Sequence, residues 1–166
     1  MRLLAPNGPL RGEIELPVSK SIANRYQIIS ALAGEELPLP ISLPEDVRVL
    51  RDALVSNATE INIGMAGTAM RFLAAFYSVE DGKTHALSGN ARMHERPIGD
   101  LVAALQSVGA EISYLKEQGF PPLEIRGKEL KGGAIKMAAS VSSQFVSALM
   151  MVAPKMKNGL TIQLEG

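Results

Sequence analysis

The sequence predicts a mixed α/β (α+β) fold, and three observations carry that prediction. Short segments with apolar residues at period two, bounded by Gly or Pro, interleave along the chain with segments whose apolar residues recur at three and four. One helical pattern returns three times. Of the 166 residues 46% are apolar and 20% charged, enough for an ordinary domain with a core and unlike a disordered chain.

Taken in order, Met1–Ala5 meets Pro6, Asn7, Gly8 and Pro9 before an apolar core of signal-peptide length can form. No run approaches the roughly 18–20 apolar residues of a membrane span, so the sequence predicts a soluble, cytoplasmic protein. "GEIELP" (12–17) alternates as a strand does. "SKSIANRYQIISALA" (19–33) has a polar head and a nearly apolar helical body, and "DVRVLRDALVSN" (46–57) is an amphipathic helix. "EINIG" (60–64) predicts a strand, and "MAGTAMRFLAAFYS" (65–78) repeats the polar-head, apolar-body design. "RPIGDLVAALQSVG" (96–109) is again amphipathic and ends on Gly109, as a helix C-cap would. "AEISYL" (110–115), "PLEIRG" (122–127) and "AIKMAA" (134–139) predict strands. "VSSQFVSALMMVA" (141–153) is the third apolar helix, and "GLTIQLEG" (159–166) a closing strand.

The three apolar helices define a repeat of roughly sixty to seventy residues. After the first and second, a strand, an amphipathic helix and another strand are expected; the third copy is cut short at Gly166. Each apolar helix reads as buried on most sides.

Composition narrows the chemistry. Lys plus Arg balances Asp plus Glu, 17 against 17, so no overall field draws in nucleic acid or a membrane, and any anion site is local. The absence of cysteine excludes disulfides, thiolate metal sites and a cysteine nucleophile within this chain. His85 and His94 lack paired metal-ligand spacing and read as ordinary polar residues. No phosphate loop or dinucleotide fingerprint is present, and the eight methionines read as core filler.

The heads of the apolar helices carry the informative residues. A helix start exposes backbone N–H groups and the positive end of the macrodipole, and small residues there let an anion come close. Ser19 and Ser21, Gly67 and Thr68, and Ser142 and Ser143 offer hydroxyl or backbone donors, while Lys20, Arg25 and Arg71 offer charge. Any one of these starts is explained by simple capping; three together predict a shared anion pocket. Arg92 and Arg96 lie before the second amphipathic helix. Arg96 is suited to a carboxylate or phosphate, or else to surface pairing with Glu95 or Asp100.

Four ordered stretches, "LPVSKSIANR", "GMAGTAMRFLAA", "RMHERPIGDLVAALQSVGAEISY" and "SVSSQFVSALMMVAP", resemble the successive signatures of the 5-enolpyruvylshikimate-3-phosphate synthases, or 3-phosphoshikimate 1-carboxyvinyltransferases. The resemblance runs from about Leu10 to Gly166 and covers the N-terminal two-fifths or so of such an enzyme. It implies an inside-out α/β barrel built from βαβαββ units, three per domain, here incomplete. Residues 1–16 would be a first strand region belonging to the other domain, and residues 17–166 the N-terminal substrate-binding domain, with two units and a truncated third.

The same resemblance implies transfer of the carboxyvinyl group of phosphoenolpyruvate to the 5-hydroxyl of shikimate 3-phosphate in chorismate and aromatic amino acid biosynthesis, with no cofactor and no metal. Lys20 matches the lysine that contacts phosphoenolpyruvate and takes part in proton transfer. Lys20, Ser21, Arg25, Ser142, Ser143 and Gln144 match contacts to shikimate 3-phosphate; Lys20, Gly67, Arg96 and Gln144 match contacts to phosphoenolpyruvate. Implied partners are these two small molecules and the missing C-terminal domain of the same polypeptide, with no nucleic acid and no membrane. Met65 stands where the family usually carries Asn. The sister family of UDP-N-acetylglucosamine enolpyruvyl transferases shares fold and donor chemistry, but "SKSIANR", "SSQF" and the lack of cysteine argue against it. A non-catalytic phospho-ligand-binding fragment is the other alternative, and the chain alone is expected to be inactive.

Overall fold

The computed structural model describes residues 8–9, 11–14, 16, 18–35 and 43–166. Helix α1 (Lys20–Ala33) ends on Gly34, whose left-handed φ of 72° lets Glu35 N–H donate to the Ser30 carbonyl. Helix α2 (Glu45–Leu54) opens with two acids in its first turn, matching the positive end of its dipole. Strand β1 (Glu60–Asn62) leads into helix α3 (Gly67–Ser78), then strand β2 (Thr84–Ser88), the single-turn helix α4 (Ala91–His94) and helix α5 (Gly99–Ser107). Strands β3 (Glu111–Tyr114), β4 (Leu123–Arg126) and β5 (Gly133–Ala138) follow, then helix α6 (Ser143–Val152), a 3-10 turn (Ala153–Lys155) and strand β6 (Leu160–Glu165).

The strands form a four-stranded sheet of order β1-β2-β4-β3 and a two-stranded sheet of β5 and β6. β1 runs parallel to β2, β4 is antiparallel to both β2 and β3, and β5 is parallel to β6. His85 and Ile112 both face Ile125 across the first sheet, and Met137 faces Leu164 in the second. Helix α3 lies at the centre, touching α1, α2, α5, α6, β2 and β4. Of its residues only Thr68 and Arg71 escape full burial, as a nearly all-apolar helix requires.

Most predicted elements are present, with instructive exceptions. The strand expected after α3 is Thr84–Ser88, a stretch whose one large inward aliphatic, Leu87, gives little alternation to read. The second amphipathic helix starts at Gly99 rather than at Arg96–Pro97: Ile98 has a non-helical φ of -134°, and its N–H donates to the Gly119 carbonyl at 2.9 Å. Within the strand predicted at 12–17, Gly12, Glu13, Ile14 and Leu16 pair with no other strand, and positions 15 and 17 lie outside the described residues. The strand expected between α1 and α2 falls largely on 36–42, also outside them.

Helices α1 and α6 are not buried on most sides. Ile22, Tyr26 and Ile29 of α1 and Met150 of α6 are more than half exposed, while Asn24 and Gln27 of α1 point inward and Gln27 donates to the Val47 carbonyl. Among the described residues α1 packs chiefly on α2, α3 and α6.

Gly127 closes the connection from β4 back to the end of α3, donating to the Lys83 carbonyl and accepting from Gly82. A β carbon there would press on the Glu80 carbonyl oxygen and stand 2.7 Å from that of Tyr77. Backbone cannot rotate away as a side chain can. Gly127→Ala is therefore expected to lower the urea midpoint by the equivalent of about 1–3 kcal/mol, with an unchanged slope; an unchanged midpoint would mean that this close approach is absent.

Candidate anion site at the helix heads

The heads of α1, α3 and α6 meet at one end of the fold. Gln144, in the first turn of α6, donates from Nε2 to the Thr68 hydroxyl in the first turn of α3 at 3.3 Å. One turn deeper, Arg25 of α1 donates from Nη2 to the Ser147 hydroxyl of α6 at 2.9 Å and places its guanidinium carbon 5.4 Å over the Phe72 ring of α3. Arg71 of α3 stands 5.6 Å over Phe145 of α6 in the same way. The three starts thus share one face, as their common sequence design predicts.

Their chemistry differs from ordinary capping. Ser142 does cap α6, accepting from Gln144 N–H. Ser19 and Ala66, at the N-caps of α1 and α3, make no side-chain cap bond. No acid occupies the first turn of α1, α3 or α6, whereas α2 carries Glu45 and Asp46 there. Three positive helix ends are left without the carboxylates that normally accompany them, and cations are added instead.

Arg25 is the best-anchored of these. Its Nη1 donates to Ser21 Oγ at 2.6 Å and to the Ser21 carbonyl at 2.9 Å, so Ser21 and Arg25 form one unit on α1. Lys20 is exposed, and its ammonium donates to Asp46 in the first turn of α2 at 3.3 Å. No acid follows Lys20 in the sequence until Glu35; its partner comes from 26 positions away. Arg96 sits exposed after α4, and the surface pairing with Glu95 or Asp100 is not formed. Its guanidinium reaches the head of α3: a β carbon on Gly67 would lie 2.5 Å from Arg96 Nη1 and 3.0 Å from Arg71 Nη1. Only glycine leaves both tips this room. Burial first, and Arg96 second, press the Arg71 pKa below its ordinary value. Ser143 is exposed at the α6 head, and Met65 is exposed just ahead of α3.

Lys20, Ser21, Arg25, Gly67, Arg96, Ser142, Ser143 and Gln144 all lie on these heads or beside them. Sequence reasoning missed Asp46, Ser147, Phe72 and Phe145. Asp46 reads as a dipole partner within its own helix and the aromatics as core, so only their long-range placement reveals what they touch. The assembled groups can hold anions: hydroxyls, backbone donors and guanidiniums fixed before a ligand arrives. Among the described residues, Asp46 is the carboxylate in ion-pair contact with this set, and it is engaged with Lys20.

Comparison with known proteins places this geometry in context. A family model described as EPSP synthase (3-phosphoshikimate 1-carboxyvinyltransferase) matches residues 45–166. A 3-phosphoshikimate 1-carboxyvinyltransferase of Bacteroides fragilis is 46% identical over 165 residues, covering 99% of this chain and 40% of the relative. One of Shewanella amazonensis is 40% identical over 190 residues, covering 98% of this chain and 44% of the relative. An EPSP synthase structure from Acinetobacter baumannii superposes with a TM-score of 0.77 at 20% identity, over 93% of this chain and 40% of that one, a likeness of fold. The chain therefore spans about two-fifths of the length of these proteins.

Gly67→Ala tests the geometry at the α3 head. The added methyl meets the flexible ends of two arginines rather than backbone, and Ala favours a helix by up to about 1 kcal/mol over Gly. The thermal midpoint is expected to hold or rise while affinity for inorganic phosphate, followed by NMR, falls about tenfold as Arg96 is displaced. A lowered midpoint, or unaltered phosphate affinity, would contradict this arrangement.

Proposed function

The chain belongs to the EPSP synthase family, and on that premise we propose that it forms the N-terminal, substrate-binding part of a 3-phosphoshikimate 1-carboxyvinyltransferase. The observation that carries this reading is the convergence of three uncompensated helix heads with Arg25, Arg71 and Arg96. The substrates in this reading are shikimate 3-phosphate and phosphoenolpyruvate, which together bring several negative charges into one cleft.

Arg25, Ser21, Ser142 and Ser143 hold shikimate 3-phosphate; Gly67 and Arg96 hold phosphoenolpyruvate; Lys20 and Gln144 lie between the two. The reaction adds and then eliminates. A proton goes to the methylene carbon of phosphoenolpyruvate and the 5-hydroxyl attacks C2 and loses its proton; the C–O bond to phosphate then breaks as the new methyl carbon gives up a proton, which regenerates the double bond. Fixed cations lower the barrier by stabilising the charge of the bound and leaving phosphate without reorganising. Lys20, with its ammonium already held at the α1 head, is suited to a part in the proton transfers.

The rest of the polypeptide is the proposed partner. Ile22, Tyr26 and Ile29 lie along one side of α1 at four- and three-residue spacing, and Val146, Met150, Leu160, Ile162 and Leu164 line a second apolar groove between α6 and β6. Both surfaces suit further packing units of the same repeat. In this reading residues 1–16 belong with the other domain and 17–166 with this one; the unpaired Gly12–Ile14 backbone is consistent with that division.

Two outcomes are expected. Calorimetry of this chain at millimolar shikimate 3-phosphate gives weak binding that Arg25→Ala lowers about tenfold or more, since charge-assisted contacts contribute roughly 1.5–3 kcal/mol each; binding untouched by that change would remove Arg25 from the site. Mixed with both substrates, the 166-residue chain releases no phosphate above background, because in this reading the carboxylates that complete the acid–base chemistry belong to the rest of the polypeptide, and loss of acid–base catalysis alone typically costs about 10²- to 10⁴-fold. Release that disappears in Lys20→Ala would instead locate a complete active site here.

A further inference from the structure

Arg71 sits at the anion site yet is held back from it. Its Nη1 donates to the Gly67 carbonyl at 2.8 Å, one turn back on α3, and its guanidinium carbon lies over the Phe145 ring of α6. Its Nε is buried without an acceptor. These contacts lock the group, half-buried, between the heads of α3 and α6. Its near neighbour is a second cation: Arg71 Nη1 and Arg96 Nη1 both come within 3.0 Å of the point beside Gly67 where a β carbon would stand. No carboxylate is in ion-pair contact with either among the described residues. A partly buried cation with an unfilled donor, set against a like charge, destabilises the free protein. Burial and the Arg96 charge lower the Arg71 pKa, the direction such an arrangement requires.

We propose that Arg71 is the positioning residue of this anion site, bracing the heads of α3 and α6 through Gly67 and Phe145 while its fixed charge stands beside that of Arg96 at Gly67, where a phosphate is received. An anion arriving beside Arg96 and Gly67 removes the repulsion between the two guanidiniums, so the ligand is favoured by relief of a conflict already present in the free chain. Arg96 touches the ligand; Arg71 acts through it. This inference rests on the reading of Gly67 and Arg96 as phosphate contacts.

The test titrates inorganic phosphate into the full 166-residue chain, following the Gly67 and Thr68 amides and the Arg96 side chain by NMR, with thermal midpoints measured without phosphate. Four proteins are compared: the unsubstituted chain, Arg71→Met, Arg71→Lys and Arg96→Ala. In Arg71→Met, phosphate affinity is expected to fall about tenfold, the effect of one screened charge a few ångströms away, while the phosphate-free midpoint holds or rises. Arg71→Lys restores charge without the fork and is expected to recover part of the affinity. A brace with no electrostatic role would give the reverse, a lowered midpoint with affinity kept in the folded protein, and that result overturns the proposal; so does an Arg71→Lys that binds no better than Arg71→Met. If Arg96→Ala binds phosphate as tightly as the unsubstituted chain, or that chain does not respond, the reading of the site itself fails, whatever Arg71 does.

Discussion

Burial of α3 is the constraint on which the rest of the structure depends. Ten of its twelve residues are buried, and a helix enclosed on its sides can show solvent only its ends. Its sides must then be covered by α1, α2, α5, α6 and the inner face of the β1-β2-β4-β3 sheet, which are the elements that touch it. Tyr77, near its C-terminal end, is pinned by a hydrogen bond to the Ala53 carbonyl of α2 and by stacking on the buried His85 of β2, ring centroids 3.9 Å apart. With that end fixed in the core, the opposite end, whose first N–H groups have no partner within the helix, becomes the natural floor of a site.

Charge follows from this placement. The positive ends of α1, α3 and α6 lack first-turn acids, and Arg25, Arg71 and Arg96 add full charge to them. Such an assembly is costly in the free protein and is stabilised locally by devices other than carboxylates: the Phe72 and Phe145 ring faces, the Ser21 and Ser147 hydroxyls and the Gly67 carbonyl. Lys20 differs, since Asp46 answers it directly. A surface pair of this kind is weak, so Lys20 stays available to an anion while being kept near the mouth.

The outer side of α1 shows where tertiary context overrides pattern. Its sequence reads as a core helix, and the observed helix buries Asn24 and Gln27 while leaving Ile22, Tyr26 and Ile29 in solvent. Burying an amide costs unless it is bonded; Gln27 Nε2 donates to the Val47 carbonyl, while Gln27 Oε1 and Asn24 Oδ1 are buried without a partner. The inward side thus carries Ala23 and Ile28 beside two amides, while three large apolar residues lie on the exposed side, a choice that a continuous apolar run cannot specify.

What the sequence determined by itself is what depends on local periodicity and local caps. The three apolar helices, the two amphipathic ones, Gly109 as a helix terminator and the strands β1, β3, β4, β5 and β6 were legible because each repeats an apolar residue at the spacing its own backbone imposes. The four signature stretches likewise identified Lys20, Ser21, Arg25, Gly67, Arg96, Ser142, Ser143 and Gln144 as a set. The tertiary structure alone decided which groups meet across the chain: Lys20 with Asp46, Arg25 with Ser147, Thr68 with Gln144, and Arg71 with Arg96 across Gly67. It also decided that α5 starts only after the non-helical Ile98, whose N–H donates to Gly119. These contacts join residues from 21 to 122 positions apart, and those at the helix heads form because burial of α3 brings the heads together, a consequence of packing that no local pattern encodes.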